Sequence, residues 1–184
     1  MTTTNNNNNL TSEICIKSTA RLHMGFFDLH GGLGRKFGSI GLSLATPTIE
    51  LSAQMSSQLQ VEGITSVVDK VATIAQQFIT KLNLNGNVRF NIRQHIPEHA
   101  GLGSGTQTAL AIGAAISQLY KLNLSTAQIA ELTGRGGRSG IGIAAFDYGG
   151  LLIDGGRSSR VGSSLNKHSL KVPPLLARYD FPED

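Results

Sequence analysis

The chain has 184 residues, a formal net charge of +4, a single cysteine, no tryptophan and 22 glycines. That length carries one ordinary domain plus a tail or the start of another, and a hydrophobic content of 40% is enough for a core, which excludes a wholly disordered chain. Cys15 alone excludes an internal disulfide and a cysteine-based metal shell, and its neighbours Ile14 and Ile16 suggest a core thiol.

Residues 1–12, MTTTNNNNNLTS, are polar and of low complexity, without the basic and apolar regions of a signal peptide. They are expected to be a disordered leader on a cytoplasmic protein. Residues 13–19 have strand character. Residues 21–37 are rich in glycine and mixed in charge, so a loop is expected. Residues 39–44 and 48–53 read as two strands broken near Pro47, and residues 58–62 could extend the sheet. Val67, Val68, Val71, Ile74, Ala75, Phe78, Ile79 and Leu82 follow a helical spacing over residues 65–82. An Asn-Gly turn follows. Val88, Phe90 and Ile92 then alternate with Arg89, Asn91 and Arg93, the pattern of a half-buried strand.

Residues 100–120 contain no charge, and their length could span a bilayer. Their glycines, serines and glutamines favour a helix inside a water-soluble domain, so no membrane is expected. Ser125 is the N-cap of a further helix to Leu132. A second glycine block covers 134–142, helix is open to residues 143–147, and 150–154 reads as a strand. Residues 167–184 hold three of the five prolines and no period. With strands and helices mixed, the class is α+β or α/β.

Two constellations carry chemistry. In the first, the strand at 88–93 leads into Pro97, His99, Gly101, Leu102, Gly103, Ser104, Gly105 and Thr106, and then into the uncharged helix. The free N–H groups and positive dipole end of a helix attract phosphate, and glycines let the backbone wrap around it. The plainer alternative is a turn that allows close helix packing. The lysine of a Walker loop is absent. The second constellation is the block from Gly134 to Gly142 with Arg135 and Arg138. Arg21, Arg35, Lys36, Arg157 and Arg160 also stand in or beside glycine-rich segments. No Lys/Arg run or aromatic stretch suggests a nucleic acid, so a small phosphorylated partner is favoured.

The first segment resembles the phosphate-binding motif of the GHMP kinases, the superfamily of galactokinase, homoserine kinase, mevalonate kinase and phosphomevalonate kinase. Pro97, Gly101, Leu102, Gly103 and Ser104 match, whereas Gly105 stands where the family places a second serine. The second block, Ser139-Gly140-Ile141-Gly142, is similar to the kinase motif that ends in an acceptor-activating aspartate, but that position is Gly142, and glycine cannot take a proton. Eleven residues before it, where the kinases carry a magnesium-binding glutamate, stands Glu131.

Residues 19–44, 96–116 and 132–156 resemble one branch, the β-ribofuranosylaminobenzene 5′-phosphate synthases of methanopterin biosynthesis. That resemblance implies an α+β fold like the second domain of ribosomal protein S5. It further implies a GHMP amino-terminal domain over 13–160 and a linker over 161–184 towards an absent carboxy-terminal domain. The implied enzyme is a phosphoribosyl-type transferase. It condenses phosphoribosyl pyrophosphate with 4-aminobenzoate or 4-hydroxybenzoate and releases CO2 and pyrophosphate.

The implied site has Gly101, Leu102, Gly103, Ser104, Gly105 and Thr106 on phosphate. Arg21, His23 and Arg138 hold substrate. Glu131 and Ser104 hold Mg2+, and Asp28 or Asp154 stabilises the ribosyl cation. A homodimer stays open. Two alternatives remain: an ATP-dependent GHMP small-molecule kinase, and a shortened, non-catalytic binding domain.

Overall fold

A computed structural model describes residues 12–32, 34–137, 139–158 and 172–181. In chain order the elements are β1 (Ile14–Phe27), β2 (Arg35–Lys36), β3 (Gly38–Ser56), β4 (Gln60–Gly63), a 3-10 turn (Thr65–Val67), α1 (Val68–Lys81), β5 (Asn87–Gln94), α2 (Ser104–Leu119), α3 (Thr126–Leu132), α4 (Ile141–Asp147), β6 (Leu151–Asp154), β7 (Arg157–Ser158) and β8 (Leu175–Tyr179). The class is α+β.

The frame is the long strand β3. Antiparallel β1 runs along it from Ile14↔Ala53 to Phe27↔Gly38. Its other neighbours are β5 over Glu50–Ser56 and β6 over Ser39–Leu42. β4 joins β5 in parallel, and β8 joins β6, so the main sheet has six strands. β2 and β7 form a separate ribbon.

Local patterns account for several elements. In β5, Val88, Phe90 and Ile92 are buried while Arg89, Asn91 and Arg93 are exposed, as the alternation predicts. Ser125 caps α3 by accepting from the Gln128 N–H, and the Gln128 side chain accepts from the Ser125 N–H, a reciprocal capping box. The lack of charge in α2 has a direct reason: every residue from Gln107 to Ser117 is buried. α2 packs between the sheet and helices α1 and α3. Its Leu110, Ile112 and Ile116 meet Phe78 and Phe90 in the main core. Each such side chain contributes roughly 1.5–3 kcal/mol by burial.

The structure departs from the sequence reading in four places. Residues 21–27, expected as loop, continue β1, because ladder bonds to β3 override their glycine-rich composition. The two strands expected around Pro47 are one. Pro47 lies in a stretch of β3 between Ser43 and Thr48 that bulges opposite Ala20, where no ladder bond needs its missing N–H. Residues 175–179, expected within a linker, form β8 and pair with β6. Cys15 is only half-buried, because Ile14 and Ile16 take the core side of β1 and alternation turns Cys15 to the other face. The leader expected at 1–12 lies almost wholly outside the described residues.

No helix among the described residues is long and apolar enough to cross a membrane.

Candidate functional site

A cleft of about 570 Å³ opens where β1, the start of α2, the second glycine block and β7 converge. Its walls include Arg21, His23 and Phe26 from β1, Thr106 from α2, Gly134 to Gly137 with Arg135, then Ser139, Gly142 and Arg157. Among the described residues, three arginines and no carboxylate stand in these walls.

The glycine loop is built around Gly103. It is the N-cap of α2 at φ 78, ψ 16, and no side chain caps the helix, so the first-turn N–H groups are not taken up by a cap. A Cβ at Gly103 would lie 2.9 Å from Arg21 Cζ, so only glycine lets the guanidinium lie against this turn. Arg21 is fixed there twice. Its backbone N–H donates to the Leu102 carbonyl at 3.1 Å, and Nη1 donates to the Gly101 carbonyl at 3.1 Å. Across the loop, the Arg135 guanidinium lies 3.6 Å from where a Cβ on Gly105 would stand. The serine-to-glycine departure at 105 therefore leaves room beneath a cation.

α4 is locked to α2 by a buried relay. Ser18 Oγ donates to Gln107 Oε1 at 2.6 Å, and Gln107 Nε2 donates to the Gly142 carbonyl at 2.7 Å. Gln107 is fully buried, so losing either partner would strand a polar group.

Asp154 is fully buried. Its Oδ2 accepts from Ser39 Oγ (2.5 Å), Ser139 Oγ (2.9 Å) and the Gly140 N–H (2.8 Å), and its Oδ1 accepts from the Gly156 N–H (2.9 Å). It thus ties β3, β6 and the start of α4 together behind the cleft wall. Asp28 sits at φ 49 in the turn after β1. Its Oδ1 accepts from the Gly31 N–H at 3.2 Å and lies 3.2 Å from His30 Nδ1. Neither aspartate is in the cleft wall. Glu131 is exposed on the last turn of α3, and Ser104 is buried at the first turn of α2. Arg138 lies outside the described residues.

The cleft thus brings together Arg21, His23 and Thr106 of the residues singled out from sequence. The walls also hold Phe26, Ser139, Arg135 and Arg157. The two arginines were legible as cations beside glycines and Ser139 as part of the second motif, but nothing local marked Phe26.

Burial is the main cause of the electrostatic shifts here. The Arg21 guanidinium is pulled below its ordinary value by desolvation, yet a guanidinium stays charged. His23 is pulled down first by burial and then by the neighbouring Arg21 charge; Asp154 and a backbone hydrogen bond oppose this. Buried Arg21 Nε and His23 Nε2 find no hydrogen-bond partner among the described residues.

Among the described residues no three His, Cys, Asp or Glu side chains come together as a metal shell. Magnesium keeps several waters and takes only one or two protein carboxylates, so an ion here would be held mainly by substrate and water.

Residues 66–150 match the family model of the GHMP kinases N terminal domain. The chain is 40% identical over 171 residues to beta-ribofuranosylphenol 5′-phosphate synthase of Archaeoglobus fulgidus, a match covering 91% of this chain and 54% of that protein. It is also 40% identical over 186 residues to the Methanocaldococcus jannaschii protein of the same name, covering 90% of this chain and 56% of the other. The chain thus spans about half the length of the curated relatives it matches. Among solved structures, L. major mevalonate kinase aligns with a TM-score of 0.58 at 20% identity, over 84% of this chain and 51% of that one, a likeness of fold. Residues 66–150, with the glycine loop that opens α2 inside them, thus match the N terminal domain of the GHMP kinases.

Proposed function

We propose that this chain supplies the phosphate-binding half of a synthase. The enzyme would join the ribosyl carbon of phosphoribosyl pyrophosphate to the ring of 4-hydroxybenzoate, with loss of pyrophosphate and CO2. The observation that carries this is the cleft wall: among the described residues it holds three arginines, the glycine block at 134–137 and no acid. Such a wall suits a substrate with two phosphorylated ends. At position 142, where the kinases carry the aspartate that activates an acceptor hydroxyl, it has glycine. The similarity to proteins named ribofuranosylphenol phosphate synthases favours the hydroxybenzoate over the aminobenzoate.

In this reading Arg135, Arg157 and the turn from Gly101 to Thr106 bind the phosphates, and Arg138 is assigned to substrate by the family resemblance alone. Arg21 and His23 face the aromatic acid. As the C–O bond to pyrophosphate breaks, positive charge develops on the ribose and negative charge on the departing oxygen, which the arginines meet. The ring carbon bearing the carboxylate forms the new C–C bond, and the C–CO2 bond electrons then restore the aromatic ring. Asp154 acts on this chemistry indirectly, by holding the Ser139–Gly142 wall, and Asp28 by shaping the turn after β1. Magnesium enters as the counterion of the substrate's pyrophosphate. By the family resemblance, Glu131 and Ser104 are the residues that would touch it.

The test uses this chain alone and fused to the part of the Archaeoglobus fulgidus relative that lies outside the match. Each is incubated with Mg2+, phosphoribosyl pyrophosphate and 4-hydroxybenzoate, while pyrophosphate and CO2 are followed together. A parallel reaction holds ATP in place of the ribosyl donor. Equal release of pyrophosphate and CO2, with ATP intact, is expected. ATP turnover without CO2 would return the protein to the kinases.

A further inference from the structure

Arg21 and His23 stand two residues apart on the cleft side of β1. Regular alternation would place residue 25 next to them. The pairing with β3 instead shifts register between His23 and Gly25, and Gly25 has a φ of 147 that side chains other than hydrogen rarely adopt. The bulge advances the chain by one residue, so Phe26 joins Arg21 and His23 in the cleft wall. The Phe26 ring lies 4.5 Å from the His23 ring and meets Phe37 edge-on at 6.1 Å. It is nonetheless 46% exposed. Its ring is thus braced by two aromatic neighbours yet open to a cleft that also holds arginines.

From this arrangement we propose that Phe26, Arg21 and His23 form a subsite for a planar aryl carboxylate, with the ring against Phe26 and the carboxylate on Arg21. This rests on the synthase reading above and adds where its aromatic substrate sits. The chemistry separates this end of the cleft from the other. Arg135 and Arg157 stand by the second glycine block and β7, and the Arg135 guanidinium lies over Gly105 of the first loop, where open space suits phosphate. Arg21 borders the first glycine loop on one side, and on the other the His23 ring leads to the Phe26 face. A phosphate there would lose hydration against a phenyl ring, whereas an aryl carboxylate satisfies both the ring and the cation. Burial keeps His23 uncharged near neutral pH, so it adds no second cation to attract phosphate.

The experiment measures equilibrium binding to this chain of three probes: 4-hydroxybenzoate, cyclohexanecarboxylate and inorganic pyrophosphate. Cyclohexanecarboxylate has the same charge and ring size but is not planar. The wild type is expected to prefer the aryl acid by several-fold to about tenfold, the scale of an aromatic contact. Phe26→Ala should abolish that preference and leave pyrophosphate affinity unchanged, and Phe26→Tyr should retain it. Phe26 is outside the core, and thermal melts of both variants verify that they fold. If the wild type binds 4-hydroxybenzoate and Phe26→Ala binds it equally well, the subsite is wrong while the synthase reading stands. If the wild type binds pyrophosphate and neither carboxylate, the aromatic-acid reading falls and the subsite with it.

Discussion

Thr106 Cγ2 lies 3.0 Å from the point where a Cβ on Gly142 would stand. The first turn of α2 and the first turn of α4 therefore share one space, and the threonine fills what the glycine leaves. Both residues face the cleft. An acid at 142 would have to displace a methyl group before it could reach a substrate.

Gly142→Ala should thus be close to neutral in stability. Better helix propensity, worth about 0.8–1 kcal/mol, is offset by crowding against Thr106. In Gly142→Ala/Thr106→Ser the crowding is gone. A double-mutant cycle by denaturant melts should show favourable coupling of about 0.5–1 kcal/mol between the two changes. Simple additivity would mean that α4 moves away freely and that the contact constrains nothing.

Asp154→Asn keeps the shape and removes the charge, turning one accepting oxygen into a donor against Ser39, Ser139, Gly140 or Gly156. A loss of about 2–4 kcal/mol is expected, read as a lower denaturant midpoint at unchanged slope. Pyrophosphate affinity of the folded fraction should change little, since the carboxylate braces the wall from behind. A stable variant with lost ribosyl transfer would instead place Asp154 in the chemistry.

Arg135→Ala and Arg157→Ala remove exposed side chains and should leave the melting temperature nearly unchanged. Each should weaken pyrophosphate binding by about tenfold at low salt, with the difference shrinking as salt rises. Arg21→Ala should behave differently. It removes the bond to Gly101, loosens the loop and lowers both stability and affinity.

Stability should also depend on pH through His23 and His95. Both are held below the ordinary histidine value of 6.5, His95 by burial and then by the Lys70 charge. Below 6.5 the unfolded chain takes up protons that the folded chain refuses. Folding stability is therefore fully present above 6.5 and falls as pH drops towards the depressed folded values. Melting temperatures at pH 7.5 and 5.5 should differ in that direction, and a His23→Gln/His95→Gln variant should show a smaller difference. An equal difference in that variant would place the sensitivity elsewhere.

Much of this molecule was legible in its sequence. The alternation at Val88, Phe90 and Ile92, the spacing from Val71 to Phe78 and the Ser125 cap are local patterns, and local patterns are decided by side chains a few residues apart. The glycine loop at 101–105 was legible for the same reason, since turn and helix start are written in consecutive residues. Arg21 and His23 could be named because the family motif brackets them.

What the tertiary structure decided lies between residues far apart. β8 exists because β6 offers a ladder to residues that have no strand pattern of their own. Asp154 could be read as a reacting carboxylate until four donors, three of them from β3 and the start of α4, closed around it. Phe26 reached the cleft only because pairing with β3 slips at Gly25. In each case the deciding partner is a hydrogen-bonding neighbour brought in by folding. Sequence determined which residues could bend, cap and carry charge; the sheet's register decided which of them meet.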